Sequence, residues 1–250
     1  MPGRLLLAVD TATHLGTVAV AAEGEVLARA ELGPQGTHAA LLVPAIDEVL
    51  EDSGVNRDEL QGIVLGAGPG SFTGVRVAAA TAKGLAHALE IPIYPISSLA
   101  AAAAGIDTFG KATAGLVSEV RMAEPRYVLF DARSDRVYAA CYLATPTGLH
   151  TLIPPHATTI GELLSDDVPL AVFAGDGAER HADEIRGAGF AVLPLPFGLP
   201  TADGLIRVFA GDDRVTPVTD LASWEPEYLR ATGAERMSER APGLPKPPGD

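Results

Sequence analysis

One order of features occurs twice in this chain and limits what it can fold into. Near the start, an apolar run from Leu5 to Val9 ends in Asp10, and a polar turn, two alternating strands, a helix and a further apolar run follow. From Tyr127 a second apolar run ends in Asp131, and a polar turn, two strands, a short helix and another apolar run follow again. Short apolar runs bounded by turn residues predict buried strands. The repeated strand-Asp-turn-strand-strand-helix-strand order predicts an α/β protein of two lobes with like topology. The two copies share little sequence, so what repeats is the order of elements.

Local signals place the pieces. "TVAVAAEGEVLARAEL" predicts a hairpin turning at Glu23-Gly24. Leu42, Ile46, Val49 and Leu50 fall on one face of a helix over 37–53, with Thr37 as N-cap, Gly54 as stop, and a kink or a loose first turn at Pro44. "GIVLG" and "IPIYPI" predict strands, and "SSLAAAAAG" a helix. In the second half "LHTLIPPHA" and "LAVFAG" predict strands, while "TIGELL" and "GDGAERHADEI" predict helical turns. Residues 105–125 carry mixed charge without a period and mark a hinge, which gives lobes over 1–105 and 106–230. Residues 231–250, with four prolines and many charges, predict an unpacked tail.

The 250 residues carry 18 basic and 32 acidic side chains, a net charge of −14. Such a surface repels phosphate backbones, so tight tRNA or DNA binding needs a partner with a basic surface. The single cysteine, Cys141, lies in an apolar run and excludes an internal disulfide or a CxxC zinc site. The opening apolar run is too short for a signal peptide or a membrane span, so a soluble cytoplasmic protein is expected.

Several residues suggest chemistry. Asp10, Thr11 and Thr13 stand where a strand-end carboxylate and small hydroxyls could flank a phosphate, yet Ala12 occupies a place where such turns use glycine. In "GAGPGSFTGVRVAAATAKGLA" the residues Gly66, Gly68, Gly70 and Gly74 permit close backbone approach, and Ser71 or Thr73 can cap the helix that follows. Neither a Walker A loop nor a dinucleotide loop fits this spacing. Asp131 and the turn Gly175-Asp176-Gly177 supply matching positions in the second half. His38 has Leu42 four residues on, so the paired histidines of a helical metal site are missing. Val75, Ala78, Ala79, Ala82, Leu85 and Ala86 form a smooth small-residue face, suited either to the internal core or to close packing against a partner helix.

"LAVDTAT", "GPGSFTGVRVAAATAKGLA", "DARSDRVY", "AGDG" and "EPEYLR", in this order, resemble the bacterial TsaB (YeaZ) family over most of residues 4–230. The resemblance implies an actin/hexokinase/Hsp70-like (ASKHA) fold of two related lobes, each a mixed five-stranded sheet with helices. It also implies a role in making threonylcarbamoyladenosine at position 37 of tRNA. There a TsaD subunit carries the metal and the transfer chemistry, a TsaE ATPase joins, and TsaC supplies threonylcarbamoyl-adenylate. TsaB-like proteins act as the dimerising, activating subunit, docked on TsaD or on a second copy of themselves through first-lobe helices. The expected partner surface is His38, Leu41, Leu42, Val75, Arg76, Ala79, Ala82, Lys83, Leu85 and Ala86. The chain alone is expected to bind no cofactor or metal, with ATP or ADP and magnesium entering at the assembled complex and tRNA reached only through it. The alternative is a stand-alone ATPase or small-molecule kinase of the same superfamily, with Asp10 and Asp131 around magnesium. A peptidase lacks any nucleophile-base pair here.

Overall fold

A computed structural model describes residues 4–33, 36–109, 124–165 and 170–229. The expected tail over 231–250 and most of the expected hinge over 105–125 lie outside these residues. The first sheet holds β1 (Leu5–Asp10), β2 (Gly16–Ala22), β3 (Glu25–Leu32), β4 (Gly62–Gly66) and β5 (Ile93–Ile96) in the order β3-β2-β1-β4-β5. The second holds β6 (Pro125–Asp131), β7 (Arg136–Thr145), β8 (Gly148–Thr159), β9 (Val172–Ala174) and β10 (Ala191–Val192). Its order, β10-β9-β6-β7-β8, is the first order taken from the opposite edge. In each sheet the first three strands are antiparallel neighbours and the later two join in parallel. The doubled order in the sequence is therefore a doubled topology.

Among the described residues, seven α-helices cover the sheets: α1 (His38–Ser53), α2 (Phe72–Leu89), α3 (Ser98–Phe109), α4 (Ile160–Ser165), α5 (Asp176–Arg180), α6 (Ala182–Gly187) and α7 (Ala202–Gly211). Strand alternation sorts them into layers, because successive side chains point to opposite faces. Leu7, Val9, Val18, Val20, Ile63 and Leu65 form the outer face of the first sheet and pack under α1 and α2. Leu6, Ala8, Ala19, Ala21 and Val64 form its inner face and pack against Leu205 and Ile206 of α7. Val128, Phe130, Ala140 and Tyr142 of the second sheet meet Leu99, Ala102 and Ala103 of α3. Its other face, with Leu129, Val137 and Cys141, packs under Ile160, Leu163 and Ile185. So α3 and α7 form a middle layer between the sheets. They lie unusually close, since a Cβ on Gly204 would come within 2.0 Å of the Ala101 carbonyl oxygen. That approach explains the alanine run of α3.

A division at residue 105 assigns α7 to the second lobe, but α7 lies on the first sheet. The segment after it returns there as well: the Val218 N–H donates to the Ile93 carbonyl at the free edge of β5, and Leu221 and Trp224 pack on the first core. The residue break follows chain order, whereas packing follows the faces of the sheets.

Local signals resolve as follows. Glu23 (φ 55°) and Gly24 (φ 85°) turn the first hairpin. Gly54 ends α1 in the left-handed conformation. Thr37 precedes α1, but its side chain makes no capping bond, and its carbonyl accepts from Ala40 and Leu41 instead. Pro44 sits inside a continuous α1 on its exposed side. Ser71 caps α2, accepting from the Gly74 N–H at 3.3 Å. Among the described residues, no helix is long and apolar enough to cross a membrane.

Candidate functional site

The glycine loop and the turn after β1 fold into each other. A Cβ added at Gly66 would stand 1.8 Å from Asp10 Oδ2, one at Gly70 2.3 Å from the Ala12 carbonyl oxygen, and one at Gly74 1.9 Å from the Thr11 carbonyl oxygen. Thr11 Oγ1 donates to the Gly74 carbonyl at 2.7 Å, and the Ser71 N–H donates to the Ala12 carbonyl at 2.7 Å. The space that the glycines open is filled by residues 10–12 of the same chain.

Asp10 and Thr11 are fully buried behind this contact. Ser98 Oγ donates to Asp10 Oδ2 at 2.7 Å, the Ala12 N–H donates to Oδ1 at 2.7 Å, and the Gly68 N–H donates to Ser98 Oγ at 3.2 Å. Burial pushes the Asp10 carboxyl up to about 6, and these hydrogen bonds oppose the rise only in part.

Between the lobes lies a cleft of about 620 Å³. Its rim takes Thr13, Gly70, Ser71 and Thr73 from the first lobe and Asp131 and Asp176 from the second. Asp10, Thr11, Gly68, Gly74, Gly175 and Gly177 do not line it. The glycines of the second turn serve packing too: a Cβ on Gly175 would meet the Leu129 carbonyl oxygen at 2.3 Å. Two of the lining carboxylates, Asp131 and Asp176, already have partners. Arg180 grips Asp131 through both carboxylate oxygens, at 2.9 and 2.8 Å, while Asp176 accepts from the Asp131 N–H at 3.1 Å. His14 Nδ1 stands 3.6 Å from Asp176 across the cleft, and that carboxylate raises the affinity of the imidazole for a proton. His14, Phe72, Arg133, Ser134, Tyr138, Glu227 and Tyr228 also line the cleft and were not legible as site residues. Glu227 and Tyr228 arrive from far along the chain, and only the "EPEYLR" match singled out that stretch.

These residues do not suit a magnesium triphosphate. The strand-end carboxylate of the first lobe is sealed from the cleft, the Gly68, Ser71 and Gly74 N–H groups of the loop are engaged by their own chain, and Asp131 is paired with Arg180. Among the described residues, no group of three or more His, Cys, Asp or Glu side chains is placed to hold a metal. Cys141 is buried in the second core, where desolvation pushes its thiol up to about 11, which suits a packing role.

The expected partner surface divides. Leu42, Ala79, Ala82 and Ala86 point into the first core, Val75 is buried beside Gly68 at the wall of the cleft, and all five are at most 5% exposed. His38 is also buried, with Nε2 3.0 Å from the Gly33 carbonyl oxygen. Leu85 is half-buried against the same core, and Lys83 Nζ is bound to the Trp224 carbonyl. These residues are therefore not an open docking face: the smooth small-residue face of α2 meets its own sheet. Leu41 and Arg76 remain at the surface. The outward strips of the two helices are Ala40, Val43 and Pro44 on α1 and Thr73, Ala80 and Gly84 on α2, all exposed. Both helices cover one side of the sheet, so these strips share one surface of small and apolar residues.

A family profile described as TsaD: tRNA N6-adenosine threonylcarbamoyltransferase matches residues 34–200. The tRNA threonylcarbamoyladenosine biosynthesis protein TsaB of Bacillus subtilis is 28% identical over 92% of this chain and 96% of its own length. TsaB of Haemophilus influenzae is 39% identical over a shorter match, 55% of this chain and 53% of that protein. The solved structure of YeaZ from Pseudomonas aeruginosa superposes with a TM-score of 0.72 at 28% identity, covering 90% of this chain and all of that one. With the doubled sheets and the glycine loop in the expected places, the chain belongs to the TsaB (YeaZ) family of tRNA threonylcarbamoyladenosine biosynthesis proteins.

Proposed function

We propose that this chain is the non-catalytic, activating subunit of a tRNA (adenosine-37) N6-threonylcarbamoyltransferase, and that it docks a TsaD-like catalytic subunit in the cytoplasm. One observation carries the reading: the phosphate-type loop is filled by its own chain, while α1 and α2 present small apolar residues outward. Exposed contiguous apolar strips on helices suit helix-on-helix docking. The partner supplies the metal and transfer chemistry and the basic surface for tRNA that a chain of net charge −14 lacks. ATP or ADP with magnesium belongs to the assembled complex, which a TsaE-like ATPase joins. A second copy of this chain is the alternative occupant of the same face.

Mixing the purified chain with a TsaD-like protein is expected to give a stable heterodimer by size exclusion and calorimetry. Val43→Arg or Ala80→Arg is expected to weaken it at least ~100-fold, near 3 kcal/mol, by burying an unpaired charge. Ala79→Arg is a different experiment, because Ala79 is 5% exposed and a charge there is expected to unfold the chain. Normal assembly of both surface variants would place docking elsewhere. The stand-alone ATPase is tested with Mg-ATP: binding tighter than roughly 10 μM, about −7 kcal/mol, and lost in Asp10→Ala, would replace the present reading.

A further inference from the structure

Beside the outward strip of α2 runs a strap formed by the last described residues. It is anchored by the Val218 N–H on the Ile93 carbonyl, by the Trp224 carbonyl on Lys83, and by the Glu227 N–H on the Ala67 carbonyl. It delivers Tyr228 to the first turns of α2. There the Arg76 guanidinium lies 3.9 Å above the Phe72 ring and 5.6 Å from the Tyr228 ring. Arg76 Nε donates to Tyr228 Oη at 3.1 Å, and the two rings stand 5.4 Å apart. Arg76 is exposed, Phe72 is 41% exposed, and the two terminal nitrogens of Arg76 have no hydrogen-bond partner among the described residues.

A stacked guanidinium whose Nε is already occupied keeps a planar pair of donors in a set orientation. That geometry matches a carboxylate and loses little freedom on binding. The neighbouring helix α1 offers only acidic side chains along its outer second half: Asp47, Glu48, Glu51 and Asp52. Lys83, the other lysine or arginine of α2, is engaged by the strap. Among the described lysines and arginines of α1 and α2, Arg76 is thus the one left to pair with an acidic residue of a partner, and arginine and aromatic residues held this way dominate many interfaces.

We propose that Phe72 and Tyr228 hold Arg76 as a pre-set receptor for a carboxylate side chain of the docked TsaD-like subunit. Residues 218–229 then set docking strength although they lie beside the docking face. This rests on the docking reading above. The test uses the full chain and a TsaD-like protein, with affinities measured by calorimetry at low and high salt. Arg76→Glu is expected to weaken binding ~100-fold and Arg76→Lys ~10-fold, since a lysine neither stacks nor bonds in the same two-pronged way. Tyr228→Phe, which removes only the hydroxyl, is expected to weaken it ~3-fold at unchanged melting temperature. Arg76→Gln is expected to flatten the salt dependence, a readout that a purely structural role of Arg76 would leave alone. If Arg76→Glu and Arg76→Gln bind within about twofold of the parent at both salts while Ala80→Arg abolishes binding, the receptor is refuted and the docking face stands. If Ala80→Arg is also silent, the docking face fails and the receptor falls with it.

Discussion

Gly74→Ala is expected to cost the fold about 3 kcal/mol or more, with melting lowered by roughly 6–12 °C. The added Cβ would stand 1.9 Å from the Thr11 carbonyl oxygen. Neither side can yield cheaply, because Gly74 is in the first turn of a capped helix and Thr11 is fully buried. Separation of the two segments would also break the bond from Thr11 Oγ1 to the Gly74 carbonyl. Gly84→Ala is the matched control: it lies on the same helix with nothing within 4 Å of the added Cβ. It is expected to stabilise by up to about 1 kcal/mol through helix propensity. If the loop were a cradle awaiting phosphate, Gly74→Ala would leave the melting temperature alone and affect only ligand binding. Equal melting temperatures for Gly74→Ala and the parent would therefore refute the packed-loop account.

The second large effect is a pH dependence centred on Asp10. Its carboxyl is pushed up to about 6 in the folded chain, against about 3.9 in an unfolded one. The folded state thus holds this proton more tightly than the unfolded state does. The associated stability is fully present below about pH 4 and is lost as pH rises through about 6, a fall near 3 kcal/mol. Asp10→Asn has a similar shape and no charge to bury, so its stability is expected to change less between pH 4.5 and 7.5, by about 2 kcal/mol relative to the parent, part of the effect being already lost at pH 4.5. Urea unfolding at the two pH values measures the difference, and contributions from other carboxylates cancel in the comparison. Superimposable pH profiles would show that Asp10 is not the buried acid described here. An ATPase using Asp10 as a magnesium-associated group predicts the contrasting result, lost Mg-ATP binding.

Much of the fold was legible because it is written in short-range signals. Apolar runs ending at Asp10 and Asp131 give β1 and β6, Glu23-Gly24 turns a hairpin, and Gly54 stops α1. Each requires only a residue and its near neighbours. Helix α7 went unread, although Thr201 caps it and Leu205, Ile206 and Phe209 recur at helical spacing. Its importance depends on both sheets, since it fills the space between them. The cleft was half legible: Thr13, Ser71, Thr73, Asp131 and Asp176 meet there, but His14, Tyr138 and Tyr228 join through contacts between distant segments.

By itself the sequence determined the class of fold, its internal duplication and the family, because strand period, turn residues and the glycine block are local properties of the chain. Two decisions belonged to the tertiary structure. An alanine-rich helix face fits equally well against its own sheet or against a stranger, and Leu7, Val9, Ile63 and Leu65 decide the matter by claiming Ala79 and Ala82 for the core. A glycine records that something approaches closely without recording what. Here residues some sixty positions earlier in the chain fill the gap, and only folding brings them to it.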